Sequence, residues 1–296
     1  MTSPRRPVVR IGVVGPLTGP RAEYGELLLE AARLGAEAAR AAHPAAPEPE
    51  LVAADDAAMP APAREAARRL LAAGVDAVVG HFNSDAAAEA GPLYREAGVP
   101  LLLPASTRDG LAREIGALRL CPTDADQVTA LAEALAAVGA VALATDATPY
   151  AARLVAALVA HPALAETRTT IVSLAEPDLA ATPEAEAIAL LGTHPAILAA
   201  LARWSEAGAL GGRRLLACDD CSLPAFADEL PPGITVSVAA PRPSFAEAVR
   251  EAIGLVVRHA AAPTGLGPAL AADPLFAEGE RRDARFALVE TAPART

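Results

Sequence analysis

Lysine is absent from this 296-residue chain, and all 25 of its basic residues are arginines. The absence excludes the phosphate-binding lysine of a P-loop, the ATP-binding lysine of a protein kinase and a Schiff-base nucleophile. Aromatic residues make up only 3% of the chain, and 36 acidic residues give a net charge of -11. Because nucleic-acid binding needs basic patches and rings for base stacking, we expect no nucleic-acid partner.

Long uncharged runs are also missing, although 53% of the residues are hydrophobic. The longest run, residues 187–202, contains 16 residues, among them His194 and Pro195. A membrane-spanning helix needs about 20 consecutive, predominantly apolar residues. We therefore expect no membrane span.

The three cysteines, Cys121, Cys218 and Cys221, are too few for the disulfide framework of a secreted domain. Arg5-Arg6 could begin a twin-arginine export signal, but Arg10 interrupts the apolar stretch that follows it. No signal peptide can be assigned. From the sequence as written we expect a cytoplasmic protein, or a periplasmic one if the start codon is misassigned.

Short apolar runs alternate with segments of helical period along most of the chain. In the first part, strands are predicted at residues 8–14, 51–54, 75–79 and 99–103, and helices at 23–42, 61–73 and 86–97. In the second part, strands are predicted at 140–145, 169–174, 187–191, 213–217, 234–238 and 286–290, and helices at 124–138, 150–160, 195–207 and 245–261. Strands that alternate with helices form parallel sheets covered on both faces. The sequence therefore predicts an α/β protein with two Rossmann-like, doubly wound parallel-sheet lobes.

The lobe boundaries follow from breaks in this pattern. The second series begins near residues 121–124, where the chain would pass into the second lobe. The proline-rich residues 240–243 form a second point at which it would cross between the lobes. We predict a first lobe of residues 1–121 and about 243–280. The second lobe would then contain residues 122–242 and about 281–296.

Candidate ligand-binding loops follow the strands of the first lobe, because α/β sheets bind ligands at the carboxyl ends of their strands. The first loop, residues 15–20, lacks the G-x-G-x-x-G spacing, so a dinucleotide site is only weakly supported. Residues 80–85 and 104–109 are rich in hydroxyl groups. Each loop alone is more often a set of helix caps, but at adjacent strand ends the two form a candidate anion cradle.

The segment Cys218-Asp219-Asp220-Cys221 has the spacing of a thioredoxin-type redox pair or of half a zinc site. The two aspartates disfavour the thiolate that redox chemistry needs. No second C-x-x-C, no paired histidine and no G-x-S-x-G accompanies it. We therefore expect no metal, no cofactor and no catalytic residue, and an α/β enzyme that uses Cys218 or Cys221 is the third hypothesis.

Four segments keep the order and spacing of a known family: IGVVGPLTGPRAEYG (11–25), ADD (54–56), DAVVGHFNSDAA (76–87) and GVPLLLPAST (98–107). Together they resemble the branched-chain amino-acid (Leu/Ile/Val)-binding proteins, which are type I periplasmic binding proteins that serve ABC importers. The similarity weakens in the second lobe and is poor after Pro241. The resemblance implies the periplasmic binding protein-like I fold, in which two lobes joined by a hinge close on a ligand in the interlobe cleft.

The resemblance also implies ligand residues in the first lobe. Ser84, Ala105 and Thr107 match the positions that hold the carboxylate and the ammonium of an amino acid. Ser106 lies within the same loop, and Tyr24 matches a tyrosine of the first loop. By the resemblance, the hydroxyls of Ser84 and Thr107 would bind the carboxylate.

In the second lobe, Tyr150 matches a tyrosine that opens a helix. The ammonium-binding acid of the family falls on Asp219, with Asp220 as the competing register. His194 stands where relatives often have a tyrosine. The side-chain specificity is therefore open.

Two departures from the family bear on compartment and length. The disulfide that many relatives have would join positions 58 and 83, which are Ala58 and Asn83 here. This fits a reducing compartment, and the C-terminal part is shorter than usual. We expect non-catalytic binding of an amino acid or a similar small molecule, as the substrate-binding protein of an ABC-type transporter with a permease as partner. The alternative is a cytoplasmic sensor of the amide-receptor type that acts on a regulatory protein.

Overall fold

The structure is a computed structural model that describes residues 7–176, 179, 182 and 184–293. Arg5-Arg6, the arginine pair considered as the start of an export signal, lies outside the described residues. The chain divides into two compact units. Unit 1 comprises Met1–Thr123 and Pro243–Ala284, and unit 2 comprises Asp124–Arg242 and Arg285–Thr296. Among the described residues, no helix is long and apolar enough to cross a bilayer.

Strands and helices alternate along both units. The strands are β1 (Val8–Gly15), β2 (Glu48–Asp55), β3 (Ala77–Gly80), β4 (Leu101–Leu103), β5 (Leu118–Arg119), β6 (Ala140–Thr145), β7 (Arg168–Ser173), β8 (Ala187–Leu191), β9 (Arg214–Ala217), β10 (Val236–Arg242), β11 (Phe276–Ala277), β12 (Glu280–Arg281) and β13 (Arg285–Thr291). The helices are α1 (Ala22–Ala42), α2 (Pro60–Ala72), α3 (Ser84–Glu96), α4 (Leu111–Ile115), α5 (Asp124–Leu135), α6 (Pro149–Val159), α7 (His194–Glu206), α8 (Pro224–Glu229), α9 (Phe245–His259) and α10 (Leu266–Ala271).

Unit 1 is built on a seven-stranded sheet in the order β11-β12-β5-β4-β3-β1-β2. All neighbouring strands of this sheet pair in parallel, except β11 and β12, which pair antiparallel. Helix α1 packs on α9, and α2 packs on α3. Gly35 allows the close approach of α1 and α9, because a Cβ at this position would lie 3.0 Å from the Cα of Arg250.

Unit 2 contains a six-stranded sheet in the order β13-β10-β9-β8-β6-β7. Its central strand β8 is buried along its whole length, as expected of a parallel strand covered on both faces. The edge strand β13 pairs antiparallel with β10, and along most of β13 the more buried residues alternate with exposed ones. The prediction of two α/β lobes with largely parallel sheets is therefore confirmed, and each sheet also carries an antiparallel pair at one edge.

Strand β10 extends beyond the predicted end at residue 238. It continues through Pro241 to Arg242 and pairs with β13 along its whole length. On its other side, β10 pairs with β9 only at Ser237 and Val238. Beyond Val238 there is no β9 residue to accept a hydrogen bond, so the missing N–H of Pro241 costs nothing on that side.

The segment after the second crossing returns to unit 1 and completes it. Helix α9 begins with a capping box in which Ser244 and Glu247 bind each other's backbone N–H groups. At its other end, the carboxylate of Asp273 accepts hydrogen bonds from Arg258 at 2.7 Å and His259 at 2.8 Å. Burial alone would raise the pKa of Asp273, but the hydrogen bond from His259 and the neighbouring donors hold it below its usual value. These contacts join α9 to the chain that leads into β11.

Candidate functional site

Two aspartates at the end of β2 hold the loops that follow the neighbouring strands of unit 1. Asp55 accepts hydrogen bonds from the amide of Leu17, at 2.9 Å, and from the hydroxyl of Thr18 in the loop after β1. Burial would raise the pKa of Asp55, but these hydrogen bonds, together with one from the amide of Ala57, lower it. Asp55 is therefore held as a carboxylate that fixes the first loop.

The second aspartate, Asp56, reaches the loop after β3. Its carboxylate lies 2.7 Å from Nδ1 of His81, and Nε2 of His81 lies 3.4 Å from the hydroxyl of Tyr94 on α3. All three side chains are fully buried. Burial, followed by the negative charge of Asp56, raises the pKa of Tyr94 far above its usual value. Sequence reasoning did not single out this network, because its three residues are far apart in sequence.

The predicted hydroxyl cradle lies on two loops that are joined by a hydrogen bond. Ser84 is the first residue of α3, and its hydroxyl accepts a hydrogen bond of 3.2 Å from the amide of Arg108. Thr107, the neighbour of Arg108, is 6% exposed, and Ala105 is half-buried. The acceptor role toward Arg108 leaves the hydroxyl proton of Ser84 available to a further acceptor.

Ser106 has a different role from its neighbours. Its hydroxyl is fully buried and donates to the carbonyl of His81 at 3.1 Å. Its own carbonyl accepts a hydrogen bond of 3.0 Å from the buried guanidinium of Arg119, which also pairs with Glu280 of β12. The Ser106 side chain therefore holds the loops after β3 and β4 together.

An aromatic cluster lies beside these loops in unit 1. Tyr24 is 2% exposed, and its ring centroid lies 3.9 Å from that of Phe82. Phe245 contacts both rings edge-on, at centroid distances of 6.1 Å and 5.5 Å. The guanidinium of Arg21 lies 4.9 Å from the Phe82 ring centroid and 5.3 Å from that of Tyr24. Of this cluster, only Tyr24 was among the predicted site residues.

Unit 2 uses aspartates in the same way as unit 1. Asp146, after β6, accepts hydrogen bonds from the amides of Thr148, at 3.1 Å, and Thr193, at 2.8 Å. Asp220 accepts a hydrogen bond of 2.7 Å from the amide of His194, the first residue of α7. The His194 ring is 3% exposed, and its Nδ1 lies 3.4 Å from the same carboxylate.

Asp219 faces a different set of groups. Its carboxylate accepts a hydrogen bond from the hydroxyl of Tyr150, and its amide donates a bond of 3.0 Å to Oε1 of Gln127. The Tyr150 hydroxyl also lies 3.3 Å from that oxygen. Burial, and then the charge of Asp219, raises the pKa of Tyr150 well above its usual value. The structure thus brings the predicted Tyr150 and Asp219 together and adds Gln127, which sequence reasoning missed.

The two cysteines that flank the aspartate pair are buried and carry free thiols. The thiol of Cys218 lies 3.2 Å from the carbonyl of Gly192. Burial, and then the contact with Cys218, raises the pKa of Cys221, which disfavours the reactive thiolate. Within the described ranges, no cluster of three or more His, Cys, Asp or Glu residues could hold a metal ion.

Two α/β units, each built on a largely parallel sheet, define the class of two-lobed α/β folds. The chain belongs to the periplasmic binding protein family, whose match covers residues 8–209. Branched-chain amino-acid-binding proteins are among the proteins to which it is similar in sequence or in fold.

Two curated relatives are similar over part of the chain. An amino acid binding protein of Pseudomonas aeruginosa is 39% identical over 127 residues, which are 40% of this chain and 33% of that protein. The Leu/Ile/Val-binding protein homolog 2 of Brucella abortus is 34% identical over 152 residues, which are 48% of this chain and 40% of that protein. The chain therefore matches well under half the length of these relatives.

Solved structures share the fold over nearly the whole chain. LivJ of Streptococcus pneumoniae, in complex with isoleucine, matches with a TM-score of 0.76 at 18% identity. The match covers 95% of this chain and 100% of the LivJ chain. An ABC transporter solute binding protein of Rhodopseudomonas palustris, in complex with 3,4-dihydroxybenzoic acid, has a TM-score of 0.71 at 18% identity. That match covers 90% of this chain and 84% of the Rhodopseudomonas palustris chain.

Replacing Asp56 tests whether its buried pair with His81 holds the unit 1 loops. Asp56→Ala should lower the free energy of unfolding by about 1 to 3 kcal/mol, because it leaves the buried Nδ1 of His81 without its hydrogen-bond partner. Glu50→Ala is the matched control, since Glu50 lies on β2, the strand that leads to Asp56, and its side chain forms an exposed ion pair with Arg10, worth about 0 to 1 kcal/mol. Urea unfolding measures both losses, and equal losses would contradict the assignment.

Proposed function

We propose that this protein binds an amino acid or a close analogue without chemical change, as the substrate-binding component of an ABC-type transporter. The observation that carries the proposal is the set of polar groups at the strand ends. Unit 1 offers the hydroxyls of Ser84 and Thr107, and unit 2 offers the carboxylate of Asp219. These groups match the two charged ends of a zwitterion.

In unit 1, the ligand carboxylate would bind to the loops after β3 and β4. Ser84 can donate its hydroxyl proton, and Thr107 carries a second hydroxyl on the joined loop. A hydrogen bond to a charged group contributes about 1.5 to 3 kcal/mol. Phe82 lies two residues before Ser84, and its ring, which packs on that of Tyr24, would contact the apolar part of the ligand.

In unit 2, the ligand ammonium would bind to Asp219 rather than to Asp220. The Asp220 carboxylate is 95% buried and accepts the hydrogen bond of the His194 amide, so it serves the start of α7. Asp219 is more exposed, and its carboxylate bonds the neutral hydroxyl of Tyr150. An ammonium forms a stronger, charge-assisted hydrogen bond with a carboxylate than a hydroxyl does, so it would compete successfully for Asp219.

The comparisons support a binding role. The curated relatives carry the names of binding proteins, and LivJ is described as the substrate binding protein of a branched-chain amino acid transporter. The raised pKa of Cys221 argues against the alternative in which this cysteine is a nucleophile.

A second ligand class, the aromatic carboxylates, is favoured by the cluster beside the cradle. Arg21 stacks over Phe82 and Tyr24, so unit 1 presents rings and a cation together. The Rhodopseudomonas palustris protein with the same fold was solved with a dihydroxybenzoic acid. Such a ligand would use the hydroxyl cradle but has no ammonium group for Asp219.

A ligand panel tests the proposed function. The purified protein is heated with each common amino acid and, in parallel, with benzoate, 4-hydroxybenzoate and 3,4-dihydroxybenzoate. A ligand at about 100 times its Kd adds about 2.7 kcal/mol to the stability of the folded state and raises the Tm. We expect a branched-chain amino acid to raise the Tm most. A response to the benzoates alone would favour the second class, and no response at all would contradict both.

Ser84→Ala and Thr107→Ala should each weaken binding of the ligand that the panel identifies by about 1.5 to 3 kcal/mol. Ser106→Ala is the matched control on the same loop, because the Ser106 hydroxyl is spent on the His81 carbonyl. It should lower the Tm but leave the affinity of the folded protein nearly unchanged. Calorimetric titration measures the affinities, and an unchanged affinity in both Ser84→Ala and Thr107→Ala would overturn the cradle.

Asp219→Asn and Asp220→Asn, compared side by side, test the residue and the ligand class together. For an amino acid, Asp219→Asn should cost about 2 to 5 kcal/mol of binding, because the ligand charge stays buried without its partner. Asp220→Asn should mainly lower the Tm. If an aromatic carboxylate is the ligand, Asp219→Asn should bind it with wild-type affinity. Loss of amino-acid binding in Asp220→Asn alone would move the role to Asp220.

A further inference from the structure

Gln127 is the only glutamine in this chain, and its side chain is fully buried on α5. Lysine is absent, and Asn83 is the only asparagine. In a chain with so few residues of these types, a buried glutamine at the candidate site needs a physical reason.

The oxygen of the Gln127 carboxamide joins three elements of unit 2. It accepts the hydrogen bond of 3.0 Å from the amide of Asp219, which follows β9, and it lies 3.3 Å from the hydroxyl of Tyr150 on α6. The Tyr150 hydroxyl in turn donates to the Asp219 carboxylate. One oxygen on α5 therefore contacts both the main chain of the acid and the side chain of the tyrosine.

The nitrogen of the same carboxamide is used differently. Nε2 of Gln127 is buried and has no hydrogen-bond partner within the part of the chain that the structure describes. A methionine would fill nearly the same volume without leaving a buried donor unpaired, and an unpaired buried donor is costly. Packing alone therefore does not explain the residue, whereas the two contacts of its oxygen do.

We propose that Gln127 is a positioning residue for the ammonium-binding acid. Its oxygen fixes the main chain at Asp219 and the hydroxyl of Tyr150, and so sets the direction in which the Asp219 carboxylate points. The effect on binding rests on the proposed function. The effect on the Asp219 amide does not, because it belongs to the protein without ligand.

Amide hydrogen exchange of the ligand-free protein, followed by NMR, tests the positioning directly. In Gln127→Met the Asp219 amide should exchange about tenfold faster than in the wild type, the change expected for loss of one ordinary hydrogen bond. In Gln127→Glu, which keeps an acceptor oxygen at the same length, it should stay slow. Thr129→Ala is the control, since Thr129 is exposed on the same helix and its hydroxyl bonds the carbonyl of Ala125, one helical turn before it. An unchanged Asp219 amide in folded Gln127→Met would overturn the proposal.

Calorimetric titration with L-leucine supplies the second arm. Gln127→Met should weaken binding about tenfold, whereas Thr129→Ala should bind like the wild type, and Gln127→Glu should bind more tightly than Gln127→Met. Equal affinity of Gln127→Met and the wild type would contradict a role in positioning Asp219. If Gln127→Met does not fold, Gln127→Asn replaces it, because the shorter side chain withdraws the same oxygen. If the wild type does not bind L-leucine, the proposed function is contradicted for that ligand. The amide hydrogen exchange of Asp219 still decides the role of Gln127.

Discussion

The hydrogen bond from a loop amide to a strand-end carboxylate is the interaction on which the candidate site depends. At the carboxyl end of a parallel sheet, loop and helix-start N–H groups have no strand partner. In unit 1 the carboxylate of Asp55 accepts a hydrogen bond from the amide of Leu17 in the loop after β1, whereas Asp56 reaches the loop after β3 through the ring of His81. In unit 2 Asp146 and Asp220 reach Thr193 and His194. The loops are therefore held by buried or half-buried acids, whereas the hydroxyl proton of Ser84 is left for another acceptor.

The periodicity of the chain was sufficient to predict most of the fold. The strands at residues 140–145 and 187–191 were placed at the observed bounds, because buried parallel strands are short, uninterrupted apolar runs. Strand β2 was predicted too short, since it is an edge strand whose first residues include Glu48 and Glu50. The elements α4, β5, α10, β11 and β12 were missed, because two to six residues do not complete a recognisable period.

The candidate site was predictable in location but not in the division of roles. Strand ends could be read from the sequence, so the loops around Ser84 and Thr107 were found. Spacing could not show that the hydroxyl of Ser106 turns inward to His81 while that of Ser84 accepts from Arg108. Nor could spacing reveal the role of Gln127, because Gln127 and Asp219, whose side-chain oxygen and amide form the hydrogen bond, lie 92 positions apart in sequence. The ligand roles of these residues stay predictions.

The path of the chain through the two units has a consequence for synthesis. Unit 1 lacks α9, β11 and β12 until residues up to 284 have been made, and unit 2 lacks its edge strand β13 until after that. When residue 123 leaves the ribosome, the face of α1 that packs on α9 has nothing to cover it. Contacts between such distant segments slow folding, and uncovered apolar surfaces promote aggregation. Both units therefore depend on the last fifty or so residues to reach their final form.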